Sequence, residues 1–251
     1  RYAERNLAEA IRRGELELVF QPRVDIASGR IVGAEALLRW PGSAIGALSP
    51  GFFVPAAERM GLAAELDRWV ITHIVAAAGK LVAARPQLVL SFNLSGQSLD
   101  AGVPAFIRDC LRSLPALAAN LEIEVTETSM AHLTPEVEAA MAALRGMGTK
   151  LAVDDFGMGY ASLAYLKRLR AEVIKIDRSF VTDIAHEAID AQIVEGLIGL
   201  ARAMGCTVVA EGVENADQAD ALQQLGCRYA QGYHFHRPMA LADLLALLEA
   251  P

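Results

Sequence analysis

The sequence has few cysteines and no long apolar run, and both shortages limit what the chain can be. Its three cysteines, Cys110, Cys206 and Cys227, are odd in number and lack the spacing of metal ligands. A disulfide framework or a zinc site is therefore not expected, and a reducing cytosol is the favoured location. The most apolar stretches, such as residues 69–79, contain polar residues and fall short of the ~20 residues that span a bilayer. No membrane span is expected in this chain.

The chain is also short of positive charge. It has 23 basic and 30 acidic residues, which gives a formal net charge of −7. This balance disfavours a protein that neutralises the phosphates of duplex DNA, so no DNA partner is expected. Binding of a small anionic ligand is still compatible with the negative charge if metal ions lie between the ligand and the protein. The chain has 251 residues, 53% of them hydrophobic, and is expected to be globular. One large domain is the favoured organisation, with two small domains as the alternative.

The first residue is Arg1 instead of Met, and no secretory signal is visible. We therefore expect a longer protein with an upstream domain. Residues 1–15 have a charged helical pattern that predicts a linker helix from that domain, and residues 16–251 are expected to form the folded unit. The expected location is the cytoplasm, either as a free protein or as the cytoplasmic part of a membrane-anchored one.

Short β-rich runs alternate with helical patterns along the chain. Strands are predicted at 16–21, 31–38, 88–94, 121–127, 151–156, 173–177, 207–212 and 229–235. Helices are predicted at 65–84, 104–114, 135–145, 187–204, 215–225 and 241–249. This alternation predicts a closed α/β barrel whose site forms at the carboxyl ends of its parallel strands.

One connection departs from the regular barrel. Only residues 24–30 join the first two strands, whereas a parallel crossover needs about a dozen residues. The first strand should therefore run antiparallel, which predicts a modified TIM (β/α)8 barrel. If Asp25 pairs with Arg30, then Gln21 lies opposite Ala34, near the height of Glu35.

Alternation within the strands predicts which side chains point into the barrel. Neighbouring side chains of a strand point to opposite faces, and the apolar face must meet the helices. The inward polar positions are then Glu35, Asn93, Glu124, Asp154, Lys175, Asp177, Glu211 and Gln231, with Asp155 and Glu127 just beyond their strand ends. Glu122 lies deeper on the same face as Glu124, and the sequence suggests no partner for it.

So many carboxylates in one cavity need compensation. Two like charges ~4 Å apart repel by about 4 kcal/mol at an effective dielectric constant near 20. One lysine does not balance the set, which leaves raised carboxylate pKa values or bound divalent cations. Oxygen ligands from Asp, Glu and Asn suit Mg²⁺ or Mn²⁺, so we favour metal binding over acids that are merely solvated at strand ends.

Seven short motifs carry a specific resemblance. They are Glu35-Ala36-Leu37, Asn93-Leu94-Ser95, Glu124-Val125-Thr126-Glu127, Asp154-Asp155-Phe156-Gly157, Lys175-Ile176-Asp177-Arg178, Glu211-Gly212-Val213-Glu214 and Gln231-Gly232-Tyr233. In order and spacing they resemble the EAL domain from about residue 16 to residue 238. The resemblance implies a phosphodiesterase that opens cyclic di-GMP to linear pGpG, on a barrel whose first strand is antiparallel.

The resemblance also implies roles for single residues. It implies one metal ion held by Glu35, Asn93, Glu124 and Asp154, and a second held by Asp154, Asp155 and Glu211. Two cations ~3.5–4 Å apart can activate a water and stabilise charge on the phosphate. Catalytic roles are implied for Lys175, Glu211 and Glu35, with Lys175 orienting or deprotonating the water and Glu211 as the alternative base. Substrate contacts are implied for Gln21, Arg39, Asp177 and Gln231.

A last group of residues resembles the family's loop after the fifth strand and its anchors. These are Glu127, Phe156, Gly157 and Glu214, which the resemblance associates with metal retention and with a homodimer. It also implies an upstream sensor or GGDEF-type domain. Met158 stands where the family usually has a small or hydroxyl residue. This departure motivates an alternative function, a module that binds cyclic di-GMP with little or no hydrolysis.

Overall fold

The computed structural model describes residues 2–43, 46–100, 102–126, 129, 133–157 and 163–249. Its strands are β1 (Glu17–Asp25), β2 (Ile31–Arg39), β3 (Val89–Asn93), β4 (Leu121–Thr126), β5 (Lys150–Phe156), β6 (Val173–Ile176), β7 (Thr207–Ala210) and β8 (Tyr229–Ala230). Its helices are α1 (Tyr2–Arg13), α2 (Pro50–Arg59), α3 (Ala63–Ala84), α4 (Gly96–Asp100), α5 (Val103–Arg112), α6 (Pro135–Gly146), α7 (Leu163–Leu169), α8 (Arg178–Val181), α9 (Ala188–Ala203), α10 (Ala216–Gln224) and α11 (Leu241–Glu249), with a 3-10 helix at Pro115–Asn120.

The strands close into a barrel in the order β1 to β8. Strand β1 is antiparallel to both β2 and β8, and the remaining neighbours are parallel. The predicted modified TIM barrel with an antiparallel first strand is confirmed. Among the described residues, we find no helix that combines the length and the apolar character needed to cross a bilayer.

The outward faces of the strands form the main core against the helices. Phe92 of β3, Ile123 of β4 and Val153 of β5 are almost fully buried and share one apolar cluster with Ile74 of α3 and Met141 of α6. Burying one such side chain stabilises the fold by ~1.5–3 kcal/mol. Because the apolar positions alternate with polar ones, the same packing turns the polar side chains into the barrel.

Helix α1 packs against α2 and against the residue that follows β2. Its residues Leu7 and Ala10 are buried in a second apolar cluster with Trp40, which follows β2, and Phe53 of α2. The ring of Trp40 meets that of Phe53 edge-on at 5.9 Å. The predicted helix at the start of the chain is therefore present, and its role as a linker from an upstream domain stays a prediction.

The β1–β2 hairpin differs from the predicted register by one residue. The backbone nitrogen of Asp25 donates to the carbonyl of Arg30 at 3.0 Å, as expected. However, Arg23 pairs with Gly33 and Val24 pairs with Ile31, so Val32 is an extra residue in β2. This bulge places Gln21 opposite Glu35, and the predicted pairing with Ala34 is wrong.

The prediction of a strand at 229–235 is wrong beyond its second residue, because β8 ends at Ala230. The backbone of Gly232 lies against that of Val213, and His234 N donates to the carbonyl of Val213 at 2.9 Å. These contacts turn the chain away from the sheet. The bends bring residues 231–234 against the segment that follows β7.

Two acidic side chains hold the segment that follows β3. The backbone nitrogen of Ser95 donates to Asp67 Oδ2 at 3.1 Å, and Ser95 Oγ donates to Glu58 Oε1 at 2.7 Å. Asp67 occupies a core-facing position of α3 and is 8% exposed. Burial raises the pKa of Asp67 to about 6, with the Glu58 carboxylate adding to the shift. Since Ser95 follows Asn93 by two residues, these hydrogen bonds to Asp67 and Glu58 fix the chain beside the end of β3.

Replacing Gly232 by alanine should destabilise the fold. A Cβ at this position would overlap the backbone of Val213, so the two segments would have to separate. We expect a loss of about 1–3 kcal/mol in the free energy of unfolding, measured by urea denaturation. The matched control is Gly199→Ala on α9, where an added Cβ meets no atom within 4 Å. The control should gain about 0.5–1 kcal/mol, and equal stability of the two variants would contradict the contact.

Replacing Asp67 by asparagine should change how stability depends on pH. The pKa of Asp67 rises from an ordinary 3.8 to about 6 on folding, so the folded chain binds this proton more tightly. The contribution of this proton to the free energy of unfolding is complete below pH ~4 and is lost as the pH rises to about 6. The free energy of unfolding changes by about 3 kcal/mol over this range. Urea denaturation from pH 4 to 7 should show the natural protein losing this stability relative to Asp67→Asn.

The exposed Asp220 of α10 offers a matched control for that series. Asp220→Asn should follow the natural protein at every pH. Parallel curves for Asp67→Asn and the natural protein would show that Asp67 ionises as easily in the folded chain as in the unfolded one.

Candidate functional site

A single lysine lies at the centre of the carboxylates at the barrel mouth. The distances from Lys175 Nζ are 2.6 Å to Glu124 Oε2, 2.6 Å to Glu211 Oε1, 3.2 Å to Asp154 Oδ1 and 3.3 Å to Glu35 Oε2. Lys175 and Glu124 are fully buried. The structure thus brings together predicted site residues from β2, β4, β5 and β6 and from the residue that follows β7.

Two amide side chains connect these carboxylates. Asn93 Nδ2 donates to Glu35 Oε1 at 3.0 Å and to Glu124 Oε2 at 3.3 Å. Gln231 Nε2 donates to Glu35 Oε2 and, at 3.0 Å, to Glu211 Oε1. Each amide therefore orients two acids, and Glu35 is held from both sides.

Arg23 is a site residue that the sequence analysis missed. Its Nη2 atom is 2.8 Å from Glu122 Oε1 and 3.5 Å from Glu124 Oε1. All three side chains are buried. Arg23 is therefore the partner that Glu122 lacked, and the signal was available: Arg23 lies two residues after Gln21 on β1, so both share the inward face.

A bulge in β5 places two aspartates side by side. Val153 pairs with Ile174 and Phe156 pairs with Ile176, so Asp154 and Asp155 together face the single position of Lys175. Asp155 has a φ of 52°, in the left-handed region that is strained for most residues but tolerated by aspartate. The predicted strand at 151–156 agrees with β5, which extends to Phe156, so Asp155 lies within the strand and its placement just beyond the strand end is wrong.

Two groups of carboxylates have the spacing of a metal site. Glu35, Glu124 and Asp154 have oxygen atoms within 4.8 Å of one another, and so do Asp154, Asp155 and Glu211. Asp154 belongs to both groups. Glu124 Oε1 is buried and accepts no hydrogen bond from the described residues, with Arg23 Nη2 at 3.5 Å as its nearest cation. An all-oxygen donor set with a buried oxygen that accepts no hydrogen bond fits a hard divalent cation such as Mg²⁺ or Mn²⁺.

Burial and crowding shift the protonation of the acids. Burial raises the pKa of Glu124 well above its usual range, and the nearby Glu35 adds to the shift. Burial also raises the pKa of Glu211 to about 8, with Asp154 and Glu35 adding and Lys175 opposing. For Glu35, the cations Lys175 and Arg23 and the Gln231 hydrogen bond outweigh burial and lower the pKa.

The lysine responds in the opposite direction. Burial alone would disfavour its ammonium form, but the surrounding carboxylates outweigh burial and raise the pKa of Lys175. Lys175 is therefore a hydrogen-bond donor in this arrangement and has no free electron pair with which to accept a proton.

The residues expected to touch a substrate fall into different places. Arg39 ends β2 on the face of Glu35, four residues further towards the mouth, and its Nη1 donates to the carbonyl of Leu38 at 2.8 Å. Gln21 Nε2 donates to the carbonyl of His236 at 3.2 Å. Asp177 follows the end of β6 and caps α8, where it accepts from Ser179 N at 2.9 Å. The predicted strand at 173–177 made Asp177 an inward strand residue, and this prediction is wrong because β6 ends at Ile176. Burial and Asp154 raise the pKa of Asp155, and the charge of Asp177 adds to that shift.

Three of the four residues predicted for the loop and its anchors lie within the described ranges. Phe156 is buried in the main core on the outward face of β5. Gly157 has a φ of 101°, and a Cβ there would meet the ring of Phe180 at 2.9 Å. Glu214 is exposed, and its backbone nitrogen donates to Gln218 Oε1 at 2.7 Å. Glu127 and Met158 lie outside the described residues.

Curated relatives match nearly the whole chain. It is 37% identical over 243 residues to the bifunctional diguanylate cyclase/cyclic di-GMP phosphodiesterase MucR of Pseudomonas aeruginosa, covering 96% of this chain and 36% of that protein. It is 36% identical over 249 residues to the cyclic di-GMP phosphodiesterase NbdA of the same organism, covering 98% of this chain and 32% of that protein. The chain thus spans about a third of the length of these relatives.

Solved structures agree with the fold and the sequence. The PaMucR phosphodiesterase in complex with c-di-GMP superposes with a TM-score of 0.89 at 36% identity, covering 96% of this chain and 99% of that one. The EAL enzyme Bd1971 in its cAMP- and cyclic-di-GMP-bound form gives a TM-score of 0.90 at 30% identity, covering 98% of this chain and 68% of that one. The profile of the EAL domain matches residues 4–238. The barrel, its acidic mouth and these matches together show that the chain belongs to the EAL domain family.

Proposed function

We propose that this barrel is a phosphodiesterase that hydrolyses cyclic di-GMP to linear pGpG with two divalent cations, Mg²⁺ or Mn²⁺. The observation that carries the proposal is the pair of carboxylate groups that share Asp154, with Lys175 between them. The names of the relatives support the same activity, since MucR and NbdA are named cyclic di-GMP phosphodiesterases.

The two carboxylate groups assign the residues that would hold the cations. Glu35, Glu124 and Asp154 would hold one, and Asp154, Asp155 and Glu211 would hold the other. Asn93 would join the first group through its amide oxygen after the amide turns over, because its Nδ2 now faces Glu35 and Glu124. When bound, two divalent cations would supply an acidified water and neutralise the charge of the phosphate.

The formal charge of the cluster supports this stoichiometry. Among the described residues the cluster contains six carboxylates, of which Asp155 is exposed and Glu211 half-buried, and Arg23 and Lys175 are its two cations. Its formal charge with every group ionised is therefore −4, which two divalent ions would neutralise. The raised pKa values of Glu124 and Glu211 are what burial and crowding produce without such ions.

In the reaction, the oxygen of a water joins phosphorus, the bond from phosphorus to the 3′ oxygen of one ribose breaks, and that oxygen takes a proton. Lys175 would donate hydrogen bonds that orient the water and stabilise negative charge on the phosphate, since its ammonium form is favoured. Glu211 would act as a ligand more than as a base, because a carboxylate that holds a cation has little basicity left.

Four side chains lie where they could contact the dinucleotide in the mouth of the barrel. Arg39 lies on the face of Glu35 towards the mouth, where a guanidinium could bind a phosphate or a guanine edge. Gln21 and Gln231 would contact substrate from deeper in the mouth, and Gln231 Oε1 is buried with no partner among the described residues. Asp177 would act from the rim beside Asp155.

The larger assembly stays a prediction. We expect a homodimer coupled to the site through Glu127, Phe156, Gly157 and Glu214, an upstream sensor or GGDEF-type domain, and a cytoplasmic location. MucR has a bifunctional name, and this chain covers 36% of its length. Both facts are consistent with a further domain in the longer protein to which this chain would belong.

Activity should depend on the acids of the mouth. Purified protein incubated with cyclic di-GMP and Mg²⁺ or Mn²⁺ should form pGpG, detected by chromatography. Glu35→Gln keeps the shape of the side chain but removes its charge, and turnover should fall by about 10²-fold or more. Glu195→Gln on the exposed face of α9 is the matched control and should retain full turnover.

The same assay discriminates the alternative function. Calorimetric binding of cyclic di-GMP without product after prolonged incubation with Mn²⁺ would establish a binding module and overturn hydrolysis. Full turnover by a folded Glu35→Gln protein would overturn the metal-ligand role of Glu35.

Metal binding should release protons at neutral pH. Glu211 has a pKa of about 8 without metal, so it is mostly protonated below that pH and must lose its proton to bind a cation. The affinity for Mn²⁺ should therefore increase from pH 6 to pH 8. Calorimetry in two buffers of different ionisation enthalpy measures the released protons, and Glu211→Gln should release fewer. An affinity that does not change over this range would contradict the protonated state of Glu211.

A further inference from the structure

A second cavity lies at the opposite end of the barrel from the candidate site. It has a volume of about 360 Å³ and is lined by the first residues of several parallel strands, including Val89 of β3, Lys150 of β5, Val173 of β6 and Thr207 of β7. The acids of the candidate site lie at or just beyond the carboxyl ends of the same strands. The two openings are therefore separated by the length of the barrel interior.

The lining of this cavity is strongly basic. Among the residues that the structure describes, five cationic side chains line it, against the single acid Glu122, although the whole chain has a net charge of −7. The five are Arg23, Arg30, Arg85, Lys150 and Arg228. Within the described ranges, no carboxylate lies within ion-pair distance of Arg30, Arg85 or Lys150. Such a concentration of unpaired positive charge in a concave site attracts anions.

Two of these cations are fixed in place by other contacts. Arg85 Nη2 donates to the carbonyl of Leu248 at 3.0 Å. Arg228 Nε donates to Asp25 Oδ2 at 2.8 Å, and the guanidinium lies over the ring of Tyr229 at 5.0 Å. These contacts hold the guanidinium groups before any ligand binds, which reduces the entropy lost on binding.

The inner wall contains an unsatisfied donor. Arg23 is 5% exposed and lines the cavity. Its Nη2 atom is engaged by Glu122, but its Nε is buried without a hydrogen-bond partner among the described residues. A buried guanidinium nitrogen without an acceptor is costly, so the wall of the cavity contains a cation whose hydrogen bonds are incompletely satisfied by the described residues.

We propose that this basic cavity is a binding site for a phosphate group carried by a small soluble anion. Four of its five cations are arginines, whose planar guanidinium groups bind phosphate oxygens in pairs. Its volume is at the lower end of the range of small-ligand pockets, which suits a phosphate or a mononucleotide. The proposal does not depend on the activity of the acidic mouth.

Calorimetry with inorganic pyrophosphate tests the proposal on the whole chain. The protein is freed of metal with a chelating resin, so that the acids of the mouth repel the probe and no soluble chelator competes. We expect saturable binding that weakens with added salt. Arg85→Gln/Lys150→Gln should bind about tenfold more weakly or worse. The matched control is Arg5→Gln/Arg12→Gln, which removes the same charge from the exposed face of α1 and should leave the affinity unchanged.

Single variants test the same cavity if the double variant does not fold. If the double variant fails to fold, the exposed single variants Arg30→Gln and Lys150→Gln carry the comparison, and each should weaken binding. Equal affinity in the cavity variants and the natural protein, or no binding at low salt, would overturn the proposal. Loss of binding in Arg39→Gln alone would place the probe at the acidic mouth and also overturn it. Guanosine monophosphate as a second probe identifies the source of the phosphate: tighter binding than pyrophosphate indicates a nucleotide.

Discussion

The structure depends on how the barrel interior keeps an excess of carboxylates away from water. Lys175 is fully buried and lies within 3.3 Å of four acids, and below them Arg23 pairs with Glu122. Removing a carboxylate from water costs several kcal/mol, and two buried cations do not balance six acids. The remaining negative charge needs either protons or metal ions. In this protein, the same imbalance that destabilises the metal-free interior makes the mouth suited to binding cations.

The interior is organised in levels along the barrel axis. The mouth contains the acids around Lys175, the next level contains the buried pair of Arg23 and Glu122, and Ala152, Val173 and Val209 form a small apolar cluster. Beyond these levels lies the basic cavity. Arg23 belongs to both halves, because its Nη2 pairs with Glu122 while its side chain also lines the basic cavity. The two ends of one barrel thus present opposite charge.

Local irregularities place the functional groups, and regular packing supports them. The bulge in β5 and the left-handed Asp155 bring two aspartates to one position of the sheet. A strained residue persists only where its surroundings hold it, and here the buried Val153 and Phe156 on either side anchor the strand in the main core. On the opposite side of the mouth, the close contact of Gly232 with Val213 turns the chain after β8 and leaves Gln231 beside Glu35 and Glu211.

The sequence by itself determined the barrel, the antiparallel first strand and most of the inward acids, because these follow from strand order, connection length and a period of two. It did not determine the details that depend on pairing between distant segments. The extra Val32 and the bulge at Asp154 and Asp155 are register shifts, and one shifted residue changes which side chains face each other. The early end of β8 depends on the contact of Gly232 with Val213, a residue of a different segment. A period of two places Arg23 on the inward face of β1, but its pairing with Glu122 and the basic cavity were decided only by the tertiary structure. Both require strands far apart in the chain to lie side by side, and no local pattern in the sequence shows which strands do.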